Sequence, residues 1–305
     1  MDKKLIVILG PTASGKSELT VKLAQKFNGE IISADSRQVY KGMDIGTAKL
    51  SRNKKLKIKN KKYLINGIPH YLIDVVYPNQ EFNVAIYKKL VVGVIKDIQK
   101  RGKVPFLVGG TGLYIQAVVD NIKFPKVSPQ KKLRIELEKK TLKQLFEIYK
   151  KLDPEGAKFI EKENKRRLIR AIEVCKVTGK PFSEQKKKGK TLFEVLQIGI
   201  KLGERELKKK ISKRVEKMID LGLEKEAKKL FGKYGFEIPP MQTIGYQEWL
   251  PYVEGKISKK NVAEKIKTHT LQFAKRQMTW FKRDQQTRWV KNKKIAEKLV
   301  EKFLK

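Results

Sequence analysis

The stretch KKLIVILGPTASGKSELTVKLAQKF, residues 3–27, decides the fold. Its apolar run from Lys3 to Leu9 is the length of a buried strand, Gly10 ends it, and a helical pattern follows from Ser14 to about Phe27. Between them Gly10, Pro11, Thr12, Ala13, Ser14, Gly15, Lys16 and Ser17 match G-x-x-x-x-G-K-[ST], in the strand, loop, helix setting that gives the pattern meaning. Glycines let backbone N–H groups turn toward phosphate oxygens, and the helix N-terminus adds the positive end of its dipole. Lys16 contributes a point charge and Ser17 a hydroxyl suited to Mg2+. The loop alone does not say which phosphate is held, because kinases, ATPases and GTPases share it.

Working outward, three more strands are expected: EIISA ending at Asp35, YLIDV ending at Asp74, and VPFLV (104–108) leading to Gly109, Gly110 and Thr111. A helix is expected from Asn83, with an apolar stripe through Ile86, Leu90, Val94 and Ile98, stopping at Gly102. Alternating strands and helices predict an α/β fold with a parallel sheet covered by helices on both faces. From Asp120 to Thr191 the strand signals stop. Helix starts are expected there at Ser128, Thr141, Asp153 with Pro154 in the first turn, and Asn164, the last closing at Gly179. LFEVLQIGIKL (192–202) reads as a strand returning to the sheet, and TRWV near the end as another. The expectation is a P-loop α/β core from residues 1–119 and 192–305, with an all-helical insertion at 120–191.

The formal charge of +39 attracts polyanions and suits RNA or DNA, but lysines spread over nearly every helix would also give that total without such a partner. A single cysteine, Cys175, excludes an internal disulfide framework and a cysteine-based zinc site. The N-terminus runs straight into a strand and no apolar run reaches membrane-spanning length, so a soluble cytoplasmic protein is expected.

Ligands in open α/β sheets sit at the carboxyl ends of the strands, so Asp35, Thr111 and the loop should converge on one crevice. In the segment from Asp35 to Tyr40, Asp35, Ser36, Arg37 and Gln38 could read a base; equally, Asp35 could cap its neighbours' N–H groups in a turn. Arg166 and Arg170 share a helix face at i and i+4, either to grip phosphates or to pair with Glu163 or Glu173 on a solvated surface.

Seven ordered blocks resemble the tRNA dimethylallyltransferase family, the isopentenyltransferases that prenylate adenosine beside the anticodon. They are GPTASGKS, ISADSRQVYKGMDIGTAK (32–49), PHYLIDV (69–75), VGGTGLYIQAV (108–118), RRLIRAIEV (166–174), IGYQEW (244–249) and KRQMTWFKRD (275–284). The resemblance implies that residues Gly10 to Ser17 hold the diphosphate of dimethylallyl diphosphate, with Mg2+ at Ser17 and Arg214 as a further diphosphate contact. It implies Asp35 as general base toward adenine N6, with Lys16 and Thr111 also catalytic. It implies tRNA contacts at Asp35, Ser36, Arg37, Gln38, Thr111, Arg134, Arg166, Arg167, Leu168, Ile169, Arg170, Arg276 and Arg283.

The implied partners are tRNA, through its anticodon stem-loop, and dimethylallyl diphosphate, with no membrane and a monomeric chain. The target implied is adenosine 37 of tRNAs reading codons that begin with U. Tyr71 stands where the family often has a second histidine after His70, and His70 is expected to be structural. Trp249, Trp280 and Phe281 are expected to pack the C-terminal helices. With the chain ending at Lys305, it resembles the compact bacterial form. Two rivals remain: a P-loop kinase using ATP on a small metabolite, and a non-catalytic RNA-binding protein whose loop senses nucleotide.

Overall fold

The computed structural model describes residues 3–49, 57–59, 62–185 and 187–305. Its first unit comprises Met1–Val119 and Leu192–Lys305, and its second Asp120–Thr191. In the first unit β1 (Lys4–Leu9), α1 (Lys16–Lys26) and β2 (Gly29–Ser33) come in turn, followed by β3 (Lys57–Lys59), β4 (Lys62–Ile65) and β5 (Ile68–Tyr71). Then come α2 (Val84–Lys100), β6 (Val104–Gly109) and α3 (Gly112–Val119). The second unit holds α4 (Lys131–Glu138), α5 (Leu142–Leu152), α6 (Pro154–Ala157), α7 (Lys165–Thr178) and α8 (Phe182–Gln185). The first resumes with β7 (Glu194–Ile200), α9 (Glu204–Asp220), α10 (Leu223–Tyr234), α11 (Leu250–Val253), α12 (Lys259–Phe281), β8 (Arg288–Val290) and α13 (Lys293–Leu304).

The sheet order is β3-β4-β5-β2-β6-β1-β7-β8. From β5 to β8 neighbouring strands are parallel, while β3 and β4 form an antiparallel hairpin added to β5. That hairpin was not foreseen in a stretch of sequence dominated by lysine. β1 is buried from Leu5 to Leu9, as a central parallel strand must be when both faces are covered. Leu5, Val7 and Leu9 pack with α2 and α3, while Ile6 and Ile8 pack with α1 and α13. The period-2 alternation of a strand thus divides β1 between two cores.

Three expectations need correction. The third strand ends at Tyr71, because its partner β2 ends at Ser33; Leu72 and Asp74 then take positive φ angles of 60° and 53°. Asp74 is therefore in a turn and accepts hydrogen bonds from Lys49 and Tyr63. On α2 the buried stripe is Tyr87, Val91, Ile95 and Ile98, with Ile86 and Leu90 more than a third exposed. Tyr87 leads that stripe because its ring packs while its hydroxyl donates to the Ser33 carbonyl at 3.1 Å. The helix expected from Ser128 begins at Lys131, because the Gln130 N–H is taken by the Glu173 carboxylate.

The second unit has its own core, in which Leu137, Leu145, Tyr149, Leu168, Ile169, Ile172 and Cys175 are buried. Its helix starts include Thr141 with a capping box, Asp153 ahead of Pro154, and Asn164; α7 ends on Gly179 at φ 66°.

Candidate active site

The parallel strands β1, β2 and β6 all point their carboxyl ends the same way, so the segments that follow them meet. After β2, the Ala34 N–H donates to the Val108 carbonyl at 2.7 Å and the Ala34 carbonyl accepts from Thr111 N–H at 3.2 Å. A Cβ on Gly109 would lie 2.1 Å from that Ala34 oxygen, so only glycine lets the two segments close. Thr111 Oγ1 then accepts from Ser36 N–H at 3.0 Å.

Together these segments line a cavity of about 450 Å³. Thr12, Lys16, Ser17, Asp35, Ser36, Arg37, Gln38, Thr111, Arg214 and Arg276 all reach it. The structure thus brings together these candidates from five distant segments. Of the loop's other members, Gly10 and Gly15 have φ 152° and 87°, and Ala13 has φ 61°, which shapes the turn into α1. Pro11 and Ser14 are buried, and Ser14 Oγ lies on the loop's far side without a hydrogen-bond partner. Arg283 follows α12, is exposed and does not line the cavity.

Four cationic side chains and a single carboxylate line this space among the described residues. Lys16 Nζ donates to the Pro11 carbonyl at 3.0 Å, and Arg214 Nη1 donates to Thr12 Oγ1 at 3.1 Å. Burial pulls the Lys16 pKa down to about 8, with Arg214 adding to the fall and Asp35 opposing it. Burial also lowers the Arg214 pKa, again with Asp35 opposing. Holding protonated amines away from water without an acidic partner disfavours their charge, and an incoming anion relieves that cost.

Asp35 caps its neighbours' N–H groups and also lines the cavity. Its Oδ1 accepts from Arg37 N–H at 2.8 Å and from Gln38 N–H at 3.3 Å, which forms a turn of the Asx kind. That turn aims the rest of the carboxylate into the cavity. Gln38 is itself placed by Ser33 Oγ at 3.1 Å and by the Thr47 carbonyl at 3.3 Å. His70 lines the same space; its Nδ1 donates to the Ile68 carbonyl at 2.9 Å and burial lowers its pKa, so it is a neutral structural group.

Two supporting residues escaped the sequence reading. Glu226 on α10 accepts from the N–H groups of Asp44, Ile45 and Gly46 and from the Tyr246 hydroxyl, which fixes the segment bearing Thr47. Gln277 on α12 bonds both the phosphate loop and Gly110. A polar residue inside the buried stripe Val262, Ile266, Thr270, Ala274, Gln277, Phe281 was the available signal. Trp249 and Phe281 are buried, and Trp280 packs beside Gly112, where a Cβ would lie 2.3 Å from its ring.

Within the second unit, Arg134 makes a two-pronged bond to Glu173, at 2.7 Å from both Nε and Nη2. Arg170 reaches the same carboxylate at 2.5 Å and the Val127 carbonyl at 3.0 Å. Burial would raise the Glu173 pKa, but Arg134, the Gln130 N–H and Arg170 outweigh it and hold it at about 2. Arg166 and Arg167 are exposed on α7, whereas Leu168 and Ile169 face the unit's core. As side chains Leu168 and Ile169 support the arginine surface and form no part of it.

The model for IPP transferases matches residues 38–284. The chain belongs to the IPP transferase family. It is 44% identical, over its whole length and 97% of the relative's, to the tRNA dimethylallyltransferase of Carboxydothermus hydrogenoformans. Among solved structures it resembles the tRNA delta(2)-isopentenylpyrophosphate transferase of Staphylococcus epidermidis, with 38% identity, 99% of each chain covered and TM-score 0.68. It also resembles a eukaryotic dimethylallyltransferase acting on tRNA, with 32% identity, TM-score 0.75, and 91% of this chain and 69% of that one covered. These transferase structures share the P-loop-like arrangement of sheet and helices. Neither the kinase nor the nucleotide-sensing alternative is favoured by such relatives. No helix of the described residues is long and apolar enough to cross a membrane.

Proposed function

We propose that this protein transfers the dimethylallyl group of dimethylallyl diphosphate to N6 of adenosine 37 in tRNAs that read codons beginning with U. The observation that carries the reading is the cavity's lining, which combines one carboxylate, Asp35, with the cations Lys16 and Arg214 and with the apolar side chains of Val215, Met218, Ile266 and Phe273. A diphosphate fits the cations and a five-carbon chain fits the apolar side chains.

In the reaction the bond from C1 to the diphosphate oxygen breaks as the bond from N6 to C1 forms, and the N6 proton passes to Asp35. The lone pair of N6 is delocalised into the ring, so a carboxylate that takes the proton as the bond forms lowers the barrier. Lys16, Arg214 and the phosphate loop stabilise the charge that builds on the departing diphosphate. The Ser36, Arg37, Gln38 segment and Thr111 position the base, which must leave its stack to enter the cavity.

The residues present fit magnesium. Ser17 offers a hydroxyl at the mouth of α1, and no group of three His, Cys, Asp or Glu exists among the described residues to hold an ion by itself. Such a donor set suits a hard cation that keeps waters and takes its other oxygens from the diphosphate. When bound, magnesium would neutralise charge on the leaving group. The exposed arginines 166 and 167, with Arg134, Arg170, Arg276 and Arg283, are proposed to meet tRNA, the protein acting as a cytoplasmic monomer.

The test is to incubate the protein with magnesium, unmodified tRNA and dimethylallyl diphosphate, then digest the RNA and identify its nucleosides by mass. N6-isopentenyladenosine is expected, and none with ATP as sole donor. Unchanged RNA from folded enzyme would defeat the reading.

A further inference from the structure

Gln277 lies on the buried stripe of α12, where packing alone would favour an apolar side chain. Burying an amide costs about 1–3 kcal/mol unless its groups are bonded. Here both ends are met: Oε1 accepts from Thr12 N–H at 2.8 Å, and Nε2 donates to the Gly110 carbonyl at 2.8 Å. A Cβ on Gly110 would lie 2.3 Å from Nε2, so the absence of a side chain there admits the amide.

Each bonded backbone group neighbours a working side chain. Thr12 Oγ1 accepts from Arg214 at the phosphate end, and Thr111 Oγ1 accepts from Ser36 N–H at the end that holds Asp35. One planar amide therefore ties the loop after β1 to the loop after β6, and through it to the segment after β2.

Building on the prenyl-transfer reading, we infer that Gln277 is a positioning residue that couples the two ends of the cavity. It fixes the spacing between the leaving-group loop and the base-side loop, so that filling either end preorders the other. The Thr12 N–H is consumed by this bond, which leaves the rest of the loop and Arg214 to meet the anion.

The experiment titrates inorganic diphosphate with magnesium into the full chain by calorimetry, with and without an unmodified anticodon stem-loop RNA. Wild-type protein should bind diphosphate about tenfold tighter with RNA present. Gln277→Met keeps the side chain's length but removes both bonds; it should bind diphosphate alone within about threefold of wild type while the coupling falls below about twofold. A merely packing role would weaken both ligands alike and leave the ratio unchanged. Undiminished coupling in Gln277→Met, or none in the wild type, overturns the inference. Should Gln277→Met fail to melt cooperatively, Gln277→Leu carries the same test, because it too is uncharged and removes both bonds. Prenylation of tRNA by the wild type is scored separately, so loss of the coupling is distinguishable from failure of the transfer reading.

Discussion

The two units treat half-buried positive charge in opposite ways. In the α/β unit Lys16 and Arg214 bond a carbonyl and a hydroxyl, make no ion pair among the described residues, and have their pKa values lowered by burial. In the helical unit Arg134 and Arg170 converge on the fully buried Glu173, whose carboxylate is held at about 2. Uncompensated charge away from water is costly, and proteins keep it where function requires it. A carboxylate shared by two guanidiniums instead fixes the chain that carries them. The contrast separates cations left without a salt-bridged carboxylate among the described residues from cations tied to one.

Removing the shared carboxylate should have the largest effect. Glu173→Ala removes the acceptor of two half-exposed guanidiniums and should destabilise the helical unit by about 3 kcal/mol, the upper end for losing a charged hydrogen bond. Hydrogen exchange would show it as faster exchange in α5 and α7 with β1 and β6 unchanged. The pH dependence follows in sign. With its pKa lowered from 4.5 to about 2, Glu173 contributes stability in full above about 4.5 and loses it as pH falls toward 2. Acid melting of the helical unit in that window should be smaller in Glu173→Gln, with Asp153 supplying what remains; an unchanged acid transition would break the contrast.

Next in size is Asp35→Asn, which keeps an oxygen to accept from Arg37 and Gln38 but cannot take a proton. Single-turnover prenyl transfer should slow by at least about a hundredfold, the usual scale for a general base, with RNA binding little changed. A near-normal rate would move the base role to another group. Arg214→Ala should weaken diphosphate binding by roughly tenfold to a hundredfold, the range for losing one charged hydrogen bond, without lowering the melting temperature. A fall in melting temperature would place Arg214 with the structural cations instead.

The smallest effect is a titration. Diphosphate binding favours protonated Lys16, so affinity should decline as pH rises through about 8. Lys16→Arg stays charged, and the difference between the two pH profiles removes the ligand's own titration. Parallel profiles would show that Lys16 carries its charge regardless of pH.

Much of this site was legible because it is local. The loop from Gly10 to Ser17, Asp35 after β2 and Thr111 after β6 each follow a strand, and parallel topology brings strand ends together. The caps at Thr141, Asp153 and Asn164 were readable for the same reason. What escaped is long-range. Gln277 lies 265 residues from Thr12 and Glu226 lies 180 from Gly46, and no local pattern links such partners. The α2 stripe was misplaced by one position at Ile86, Leu90 and Val94, though not at Ile98, because Tyr87, with its polar hydroxyl, was passed over as a core residue. Asp74 was read as a strand end because hydrophobic runs do not show where a neighbouring strand stops.

The central claim is that Lys16 and Arg214 hold what departs, not what is transferred. It is tested most directly with dimethylallyl diphosphate labelled in both halves, one isotope in the prenyl carbons and another in phosphorus, supplied with magnesium and unmodified tRNA. The account predicts prenyl label in the RNA and phosphorus label in solution as intact diphosphate, in equal amounts. Phosphorus in the RNA, or diphosphate released with no prenyl label incorporated, would contradict it.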